Sequence, residues 1–493
     1  MICLKDVYFS YSEQGSGTLH NINLTIEEGE CVLLCGRSGC GKTSITRMIN
    51  GLIPNFYAGE FSGQVTLNGA NVSEIPMHKL SARIGSVFQN PRTQFFNVDT
   101  DSEIAFGIEN LALVPEELKR RVEAATTDLH IENLRGRSIF ELSGGEKQKI
   151  AFASIYAMNP DIYLLDEPSS NLDMQSVADL REHLRLVKKQ GKTIIIAEHR
   201  LYYLFELVDK IVYIDDGRIQ NIFTADEVLA LASEQLAAMG LRSVDLRRVR
   251  PKEREKQSFS VNLLLNKISL RHKKQVILKD ISLTAGYGEI IGVTGQNGAG
   301  KTTFSRALCG LHKGQSGNVS RNNTGSNQKK RLSNSYMVMQ DVNYQLFAES
   351  VEKECSFGIK QPNESLVALT MERLGLQPLR DKHPNTLSGG QKQRIAVAVS
   401  MICNKELLVF DEPTSGLDYD SMVQVSALIK ELAGMGKIIF IVTHDYEFIC
   451  HASTRIIHFD GGALTQDFAV ERANEALIKK LFSLTNEKGG LMP

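Results

Sequence analysis

The sequence predicts an α/β chain in which one mainly parallel-sheet unit is built twice in tandem. Three observations predict it. Residues 36–43, Gly-Arg-Ser-Gly-Cys-Gly-Lys-Thr, return at 295–302 as Gly-Gln-Asn-Gly-Ala-Gly-Lys-Thr. Each glycine loop follows a short apolar run and precedes a Pro-free helical pattern, the strand–loop–helix order of a parallel sheet. Leu142-Ser-Gly-Gly-Glu-Lys-Gln148 and Asp166-Glu-Pro-Ser169 return as Leu387-Ser-Gly-Gly-Gln-Lys-Gln393 and Asp411-Glu-Pro-Thr414.

The spacing sharpens the duplication. Lys42 and Lys301 are 259 residues apart, and Gln89 and Gln340 are 251 apart. Ser143 and Ser388, Asp166 and Asp411, and His199 and His444 are each separated by 245. Deletions therefore fall early in the second half, and beyond them the spacing is rigid. The seam centres on Arg242–Gln257, with seven basic and three acidic residues, and reads as an exposed linker. The expected division is 1–235, a basic linker 236–260, 261–475, and a tail 476–493. The polar insert Ser316–Ser335 reads as a surface loop.

Composition narrows the function classes. A chain of 493 residues exceeds the roughly 250–300 that one core sustains. Its net charge of −1 provides no global attraction for nucleic acid or an anionic surface. Eight scattered cysteines are no disulfide scaffold. Cys31, Cys35 and Cys40 lack a second Cys/His pair at zinc spacing, which favours strand and loop positions over a metal site. The longest apolar runs, Ile150–Met158 and Ile395–Cys403, fall well short of the roughly twenty residues that span a bilayer. The first residues lack the basic and apolar regions of a signal peptide.

The strands come first. Cys31–Cys35 and Ile290–Thr294 lead into the glycine loops, whose helical patterns begin at Ser44 and Thr303. Gly36, Ser38, Gly39 and Gly41, with Gly295, Asn297, Gly298 and Gly300, let backbone N–H groups wrap phosphate at a helix N-terminus. Lys42 and Lys301 neutralise its charge. Thr43 and Thr302 offer hydroxyls to Mg²⁺, and Ser44 and Thr303 complete the two loops. Asp166 and Asp411 end buried-strand runs, where a carboxylate reaches a cation at the carboxyl edge of the sheet. Glu167 and Glu412 follow, placed to orient or deprotonate a water. His199 and His444 close another strand, each 32 residues past the glutamate, and the matched distance favours a γ-phosphate contact over a merely packed histidine. Ser143-Gly144-Gly145 and Ser388-Gly389-Gly390 open helices and form a second anion site in each half. One nucleotide does not need two such sites, so each signature is expected to complete the other half's ATP site.

In this order the motifs resemble the nucleotide-binding domains of ABC-type ATPases, twice over. The resemblance implies that each half adds an antiparallel β subdomain and an α-helical subdomain to its parallel core. It implies ATP hydrolysis with Mg²⁺ at two sites assembled head-to-tail. It further implies that Gln89 and Gln340 sense Mg²⁺ and the γ-phosphate, and that Asp173 and Asp418 cross between halves. Tyr11 fits the family's adenine-stacking aromatic, whose counterpart falls near His272. Both sets are intact, which predicts two hydrolytic sites.

Gln89-Asn-Pro-Arg-Thr-Gln-Phe-Phe96 and the stretch Asp101–Asn110 are similar to the ATPases of energy-coupling factor importers, which take up vitamins, their precursors or transition-metal ions. Gln345, Phe347, Glu354 and Phe357 keep register with Gln94, Phe96, Glu103 and Phe106. That resemblance implies a transmembrane scaffold and a separate substrate-binding membrane protein as partners. It also implies peripheral attachment at the cytoplasmic membrane face, with no nucleic acid bound and no direct membrane insertion. Phe95 and Phe96 are then anchors for a partner helix or, equally, core of the helical subdomain. Two alternatives stand behind this one: a fused ATPase of a sugar or nucleoside importer, and a soluble ABC protein acting on ribosomes or DNA.

Overall fold

The computed structural model describes residues 1–11, 14–170, 172–253, 259–359, 361–387 and 389–484. The chain divides into two compact units. Met1–Asp245 makes up most of the first, and Leu246–Leu417 with the described residues from Ser421 makes up the second.

In the first unit β1 (Ile2–Tyr11), β2 (Gln14–Ile26), β4 (Gly59–Leu67) and β5 (Ala70–Asn71) make an antiparallel sheet of order β2-β1-β4-β5. A second sheet holds β3 (Cys31–Gly36), β6 (Ile84–Val87), β7 (Ile162–Asp166), β8 (Thr193–Ala197), β9 (Lys210–Asp215) and β10 (Arg218–Phe223), ordered β10-β9-β3-β8-β7-β6. All its neighbours are parallel except β9 and β10. Every residue of β3, β7 and β8 is buried, as expected where both faces of a parallel sheet are covered. The alternation of β3 decides which cover each side chain meets. Cys31, Leu33 and Cys35 enter a cluster with Ile150, Phe152 and Leu184 of the helices. Val32 and Leu34 enter another, with Ile2, Leu24, Ile45 and Met48.

The second unit repeats the plan. β11 (Val261–His272), β12 (Gln275–Gly286), β14 (Gln315–Arg321) and β15 (Thr324–Gly325) form the antiparallel sheet. β13 (Ile290–Gly295), β16 (Ser335–Val338), β17 (Leu407–Asp411), β18 (Ile438–Val442), β19 (Arg455–Asp460) and β20 (Ala463–Ala469) form the other, ordered β16-β17-β18-β13-β19-β20. Each unit thus has the expected parallel core and antiparallel subdomain, together with a helical region, Thr100–Met158 in the first unit.

Two expectations are corrected. Ser316–Ser335 is not a loop: it holds most of β14, then β15 and the helix Gln328–Asn334. Ladder bonds to β11 and the Asn327 side chain capping Lys330 N supply the order that its few apolar residues do not signal. The basic seam is not exposed throughout. Leu236, Leu241 and Val244 pack into the first unit's core, and Leu246 is buried. In the second unit the Tyr446 hydroxyl donates to the Val249 carbonyl at 2.9 Å, and Lys479 Nζ donates to the Arg247 carbonyl at 2.9 Å. The expected tail begins as the helix Glu475–Leu481, with Ile478 buried and Phe482 edge-on to Tyr446. All eight cysteines are free, and burial pushes the Cys31 and Cys35 thiols up to about 12, so they serve as core residues.

Candidate active sites

Each glycine loop joins a buried central strand to a helix, Lys42–Ile49 or Lys301–Leu308. Gly36 and Gly295 share φ 145°, and a Cβ there would sit 2.0 Å from the Ile214 carbonyl oxygen or 2.4 Å from that of Phe459, so only glycine fits. Gly41 and Gly300 cap the helices in left-handed conformation. The lysines fold back over the loops: Lys42 Nζ donates to the Gly36 and Arg37 carbonyls at 3.0 Å each, and Lys301 Nζ to those of Gly295 and Gln296 at 2.7 and 2.8 Å. Ser38 and Gly39 are exposed at the loop tip.

Thr43 Oγ1 lies 3.2 Å from Asp166 Oδ1, and Thr302 Oγ1 lies 3.2 Å from Asp411 Oδ2. Burial raises both aspartates above the ordinary carboxylate range, opposed by the threonine hydrogen bond. A buried carboxylate beside a hydroxyl is an all-oxygen donor set suited to a hard divalent cation. Among the described residues no three His, Cys, Asp or Glu side chains cluster to hold a metal unaided. Thr43 with Asp166, and Thr302 with Asp411, would therefore hold Mg²⁺ together with phosphate and water oxygens.

The general-base candidates stand one residue past β7 and β17. Glu167 and Glu412 adopt φ of 47° and 50°, a left-handed conformation unusual for glutamate. It is held from outside, because Glu167 N donates to the Ala197 carbonyl and Glu412 N to the Val442 carbonyl, each at 2.8 Å. Burial, and then the neighbouring Asp166 charge, push the Glu167 carboxyl up to about 8, a value suited to accepting a proton near neutrality. His199 Nε2 lies 3.5 Å from Glu167 Oε1, and His444 Nε2 lies 3.7 Å from Glu412 Oε1. Burial, followed by the Lys42 charge, drives the His199 imidazole well below its usual value, so it is neutral at pH 7. Gln89 Nε2 donates to Glu167 Oε2 at 2.6 Å. Gln340 occupies the corresponding exposed position after β16.

Other expected site residues have separate settings. Tyr11 ends β1, its hydroxyl 3.3 Å from Ser44 Oγ and 3.1 Å from Arg47 Nη1, with its ring edge-on to Phe9 and Tyr57. His272 ends β11 opposite Gln275. Ser143 caps the helix Gly144–Met158 in a reciprocal box: Glu146 N donates to Ser143 Oγ, and Ser143 N donates to Glu146 Oε2 at 2.7 Å. Burial works to raise the Glu146 carboxyl, but bonds from Ser143 and Arg137 outweigh it and hold it low. Gly389 and Gly390 open the matching helix, while Ser388 lies outside the described residues. Asp173 caps Met174–Lys189 through Ser176 N at 2.8 Å. Asp418 is buried just before Tyr419–Gly434. Thr303 is half-buried on the second loop's helix, which Lys301 begins.

The segment after each glutamine is built alike in both units. Gln94 accepts from Phe88 N and donates to the Ser86 carbonyl; Gln345 does the same with Met339 and Met337. Glu103 Oε2 accepts from Phe96 N and Asn97 N at 3.0 and 2.8 Å, and Glu354 Oε2 from Phe347 N and Ala348 N at 2.7 Å each. These turns leave Phe96 74 % and Phe347 68 % exposed, whereas Phe95 packs on the core.

Sequence reasoning missed the residues flanking the histidines. Glu198, buried, accepts from Ser169 N, His199 N, Arg200 N and the Tyr203 hydroxyl at 3.1, 2.7, 3.1 and 3.0 Å. In the second unit the same positions are Thr443 and Asp445. The change from Glu-His-Arg to Thr-His-Asp around the shared histidine was the available signal.

The family described as ABC transporter matches residues 19–170 and again 278–415. A protein of Treponema denticola, provisionally named an ABC transporter ATP-binding protein, is 48 % identical over 96 % of this chain and 98 % of its own. One of Methanosarcina mazei with the same provisional name is 31 % identical over 95 % of this chain and 88 % of its own. Among solved structures, the complex of an archaeal ribosome recycling factor, aABCE1, with the ribosomal stalk protein aP1 matches with TM-score 0.64 and 21 % identity, over 97 % of this chain and 92 % of that one, a likeness of fold alone. A family match that recurs in each unit, over sheets presenting the same lysine, aspartate, glutamate and histidine, places this chain in the ABC transporter family as a tandem ATPase.

Proposed function

We propose that the chain powers an importer of the energy-coupling factor type, hydrolysing two ATP molecules to drive a transmembrane scaffold that works with a separate substrate-binding membrane protein. The observation that carries this reading is the pair of exposed phenylalanines. Gln94 and Glu103, and again Gln345 and Glu354, spend their side chains on backbone N–H and C=O groups, so the segment after each glutamine is a built turn holding a large apolar ring in solvent. An exposed aromatic on a fixed turn suits an apolar partner helix. Full-length similarity to proteins named as transporter ATP-binding components supports the same reading.

Each unit opens a further helix at Gly144 or Gly389, beyond its own glycine loop, and such an N-terminus is suited to an anion. We take these to complete the opposite unit's ATP site, with Asp173 and Asp418 beside them and Tyr11 stacking on adenine. Among the described residues no helix is long and apolar enough to cross a membrane. Attachment at the cytoplasmic face would therefore run through the partners.

The test is affinity co-purification from native membranes. Recovery of a transmembrane scaffold with a small substrate-binding membrane protein supports the reading, and recovery of ribosomes alone sinks it. Phe96→Ala with Phe347→Ala should lose the membrane partners while ATP binding persists.

A further inference from the structure

The two histidine segments share a histidine and reverse the chemistry around it. In the first unit the acid precedes the histidine and the base follows it, Glu198-His199-Arg200; in the second a hydroxyl precedes it and the acid follows, Thr443-His444-Asp445. Each arrangement is complete in its own unit. Glu198 gathers four donors, three of them backbone N–H groups, and so ties the histidine segment to Ser169, two residues past the general base. Arg200 Nη1 adds bonds to the Ser169 and Leu172 carbonyls at 3.3 and 3.2 Å. In the second unit Asp445 performs that tie, accepting from Thr414 Oγ1 at 2.9 Å and from Phe448 N at 3.0 Å. This frees Thr443, whose hydroxyl donates to Glu412 Oε2 at 3.2 Å while accepting from Asp445 N.

The difference falls on the catalytic carboxylates. A threonine hydroxyl donates to a glutamate; a second carboxylate, already accepting from four donors, does not. Glu167 takes its short hydrogen bond from Gln89, on the segment that leads to the exposed Phe96, and has no hydroxyl at the position of Thr443 to share the task.

We propose that the two centres orient their general bases differently: Thr443 steadies Glu412 from within the sheet, whereas Glu198 and Arg200 lock the histidine segment and leave Glu167 dependent on Gln89. Glu198, Arg200 and Thr443 are positioning residues. Hydrolysis at the first site is consequently the one tied more closely to the glutamine segment. The inference rests on the hydrolytic assignment of the two glutamates.

The test uses the full chain with one general base removed at a time. Glu412→Gln reports the first site and Glu167→Gln the second, each as kcat and KM for Mg-ATP. At the first site Gln89→Ala should lower kcat by about 10–100-fold with KM within about threefold, as expected for a misplaced catalytic group. In the double swap Glu198→Thr/Arg200→Asp, the same Gln89→Ala change should cost at least about tenfold less, because the new hydroxyl steadies Glu167. At the second site Thr443→Val should make Gln340→Ala at least about tenfold more damaging than it is with Thr443 present. The Thr443→Val comparison decides alone if the double swap does not fold. Equal Gln89→Ala penalties with and without the swap, or equal Gln340→Ala penalties with and without Thr443, overturn the proposal while ATPase activity stands. Absence of ATPase activity in the unsubstituted chain overturns the hydrolytic assignment itself, and the proposal with it.

Discussion

At the scale of the residue, the proposed general bases Glu167 and Glu412 combine three features that motif spacing does not convey: a left-handed backbone, a tether to the neighbouring strand and burial beside another carboxylate. Each exploits chemistry that glutamine cannot reproduce, although glutamine can keep the backbone and most of the volume. Glu167→Gln and Glu412→Gln should therefore each reduce turnover at their own site by about 10²–10⁴-fold while nucleotide binding is retained. Single-site turnover beside an equilibrium binding titration checks this, and unchanged turnover with Glu412→Gln would remove that residue from the catalytic role. The identities of Lys42, Asp166, Glu167 and their counterparts were legible because phosphate and cation chemistry demands particular residue types at particular spacings. Glu198 and Thr443 were not, because a reading aligned on the two histidines passes over side chains that exchange tasks on either side of them.

At the scale of the element, the central helix Gly144–Met158 is buried along most of its length and presses closely on β6. Gly85 makes that approach possible, since a Cβ there would lie 2.1 Å from Ile155 Cγ2 and 2.9 Å from Pro160 Cγ. Gly85→Ala should destabilise the first unit by about 1–3 kcal/mol through overpacking, read as a lower denaturation midpoint with an unchanged slope. Strands such as β7, β8, β17 and β18 were easy to anticipate, because parallel strands covered on both faces are continuous apolar runs. The hairpin and helix between Ser316 and Ser335 were not, because Val319 is nearly the only deeply buried side chain in β14 and backbone pairing carries the rest. Edge structure of that kind leaves little hydrophobic pattern to read.

At the scale of the whole molecule, the repeat keeps the order of its motifs but not its core chemistry. His183 is buried in the first unit, its ring stacked on Phe152 and its Nε2–H donating to the Leu129 carbonyl at 3.1 Å. Burial lowers its pKa to about 4, and the equivalent position in the second unit is Leu428. As pH falls below the ordinary histidine value of about 6.5, the unfolded chain takes up a proton that the folded one refuses. Stability of the first unit is therefore complete above neutrality and is lost as pH drops toward about 4. The loss should reach about 2 kcal/mol between pH 7 and pH 5. Thermal scans should show the transition of the first unit falling over that range, and His183→Leu should abolish that part of the fall; an unaltered pH slope in the variant would refute the account. The duplication itself was legible from the constant 245-residue offset, but which half owns the seam was not, since charge composition speaks of solvent and says nothing of hydrogen bonds.

That ownership has a practical consequence for taking the chain apart. Arg247 and Val249 supply carbonyl acceptors to Lys479 and Tyr446, which lie more than 190 residues further on. A gene fragment starting at 261, where the sequence suggests the second half begins, would discard this clasp, leaving Lys479 only its bond to Glu475 and taking the Val249 acceptor from Tyr446. A fragment starting ahead of Leu246 would keep it. The stretch that resembles a spacer is, in folding terms, the second half's leading strap.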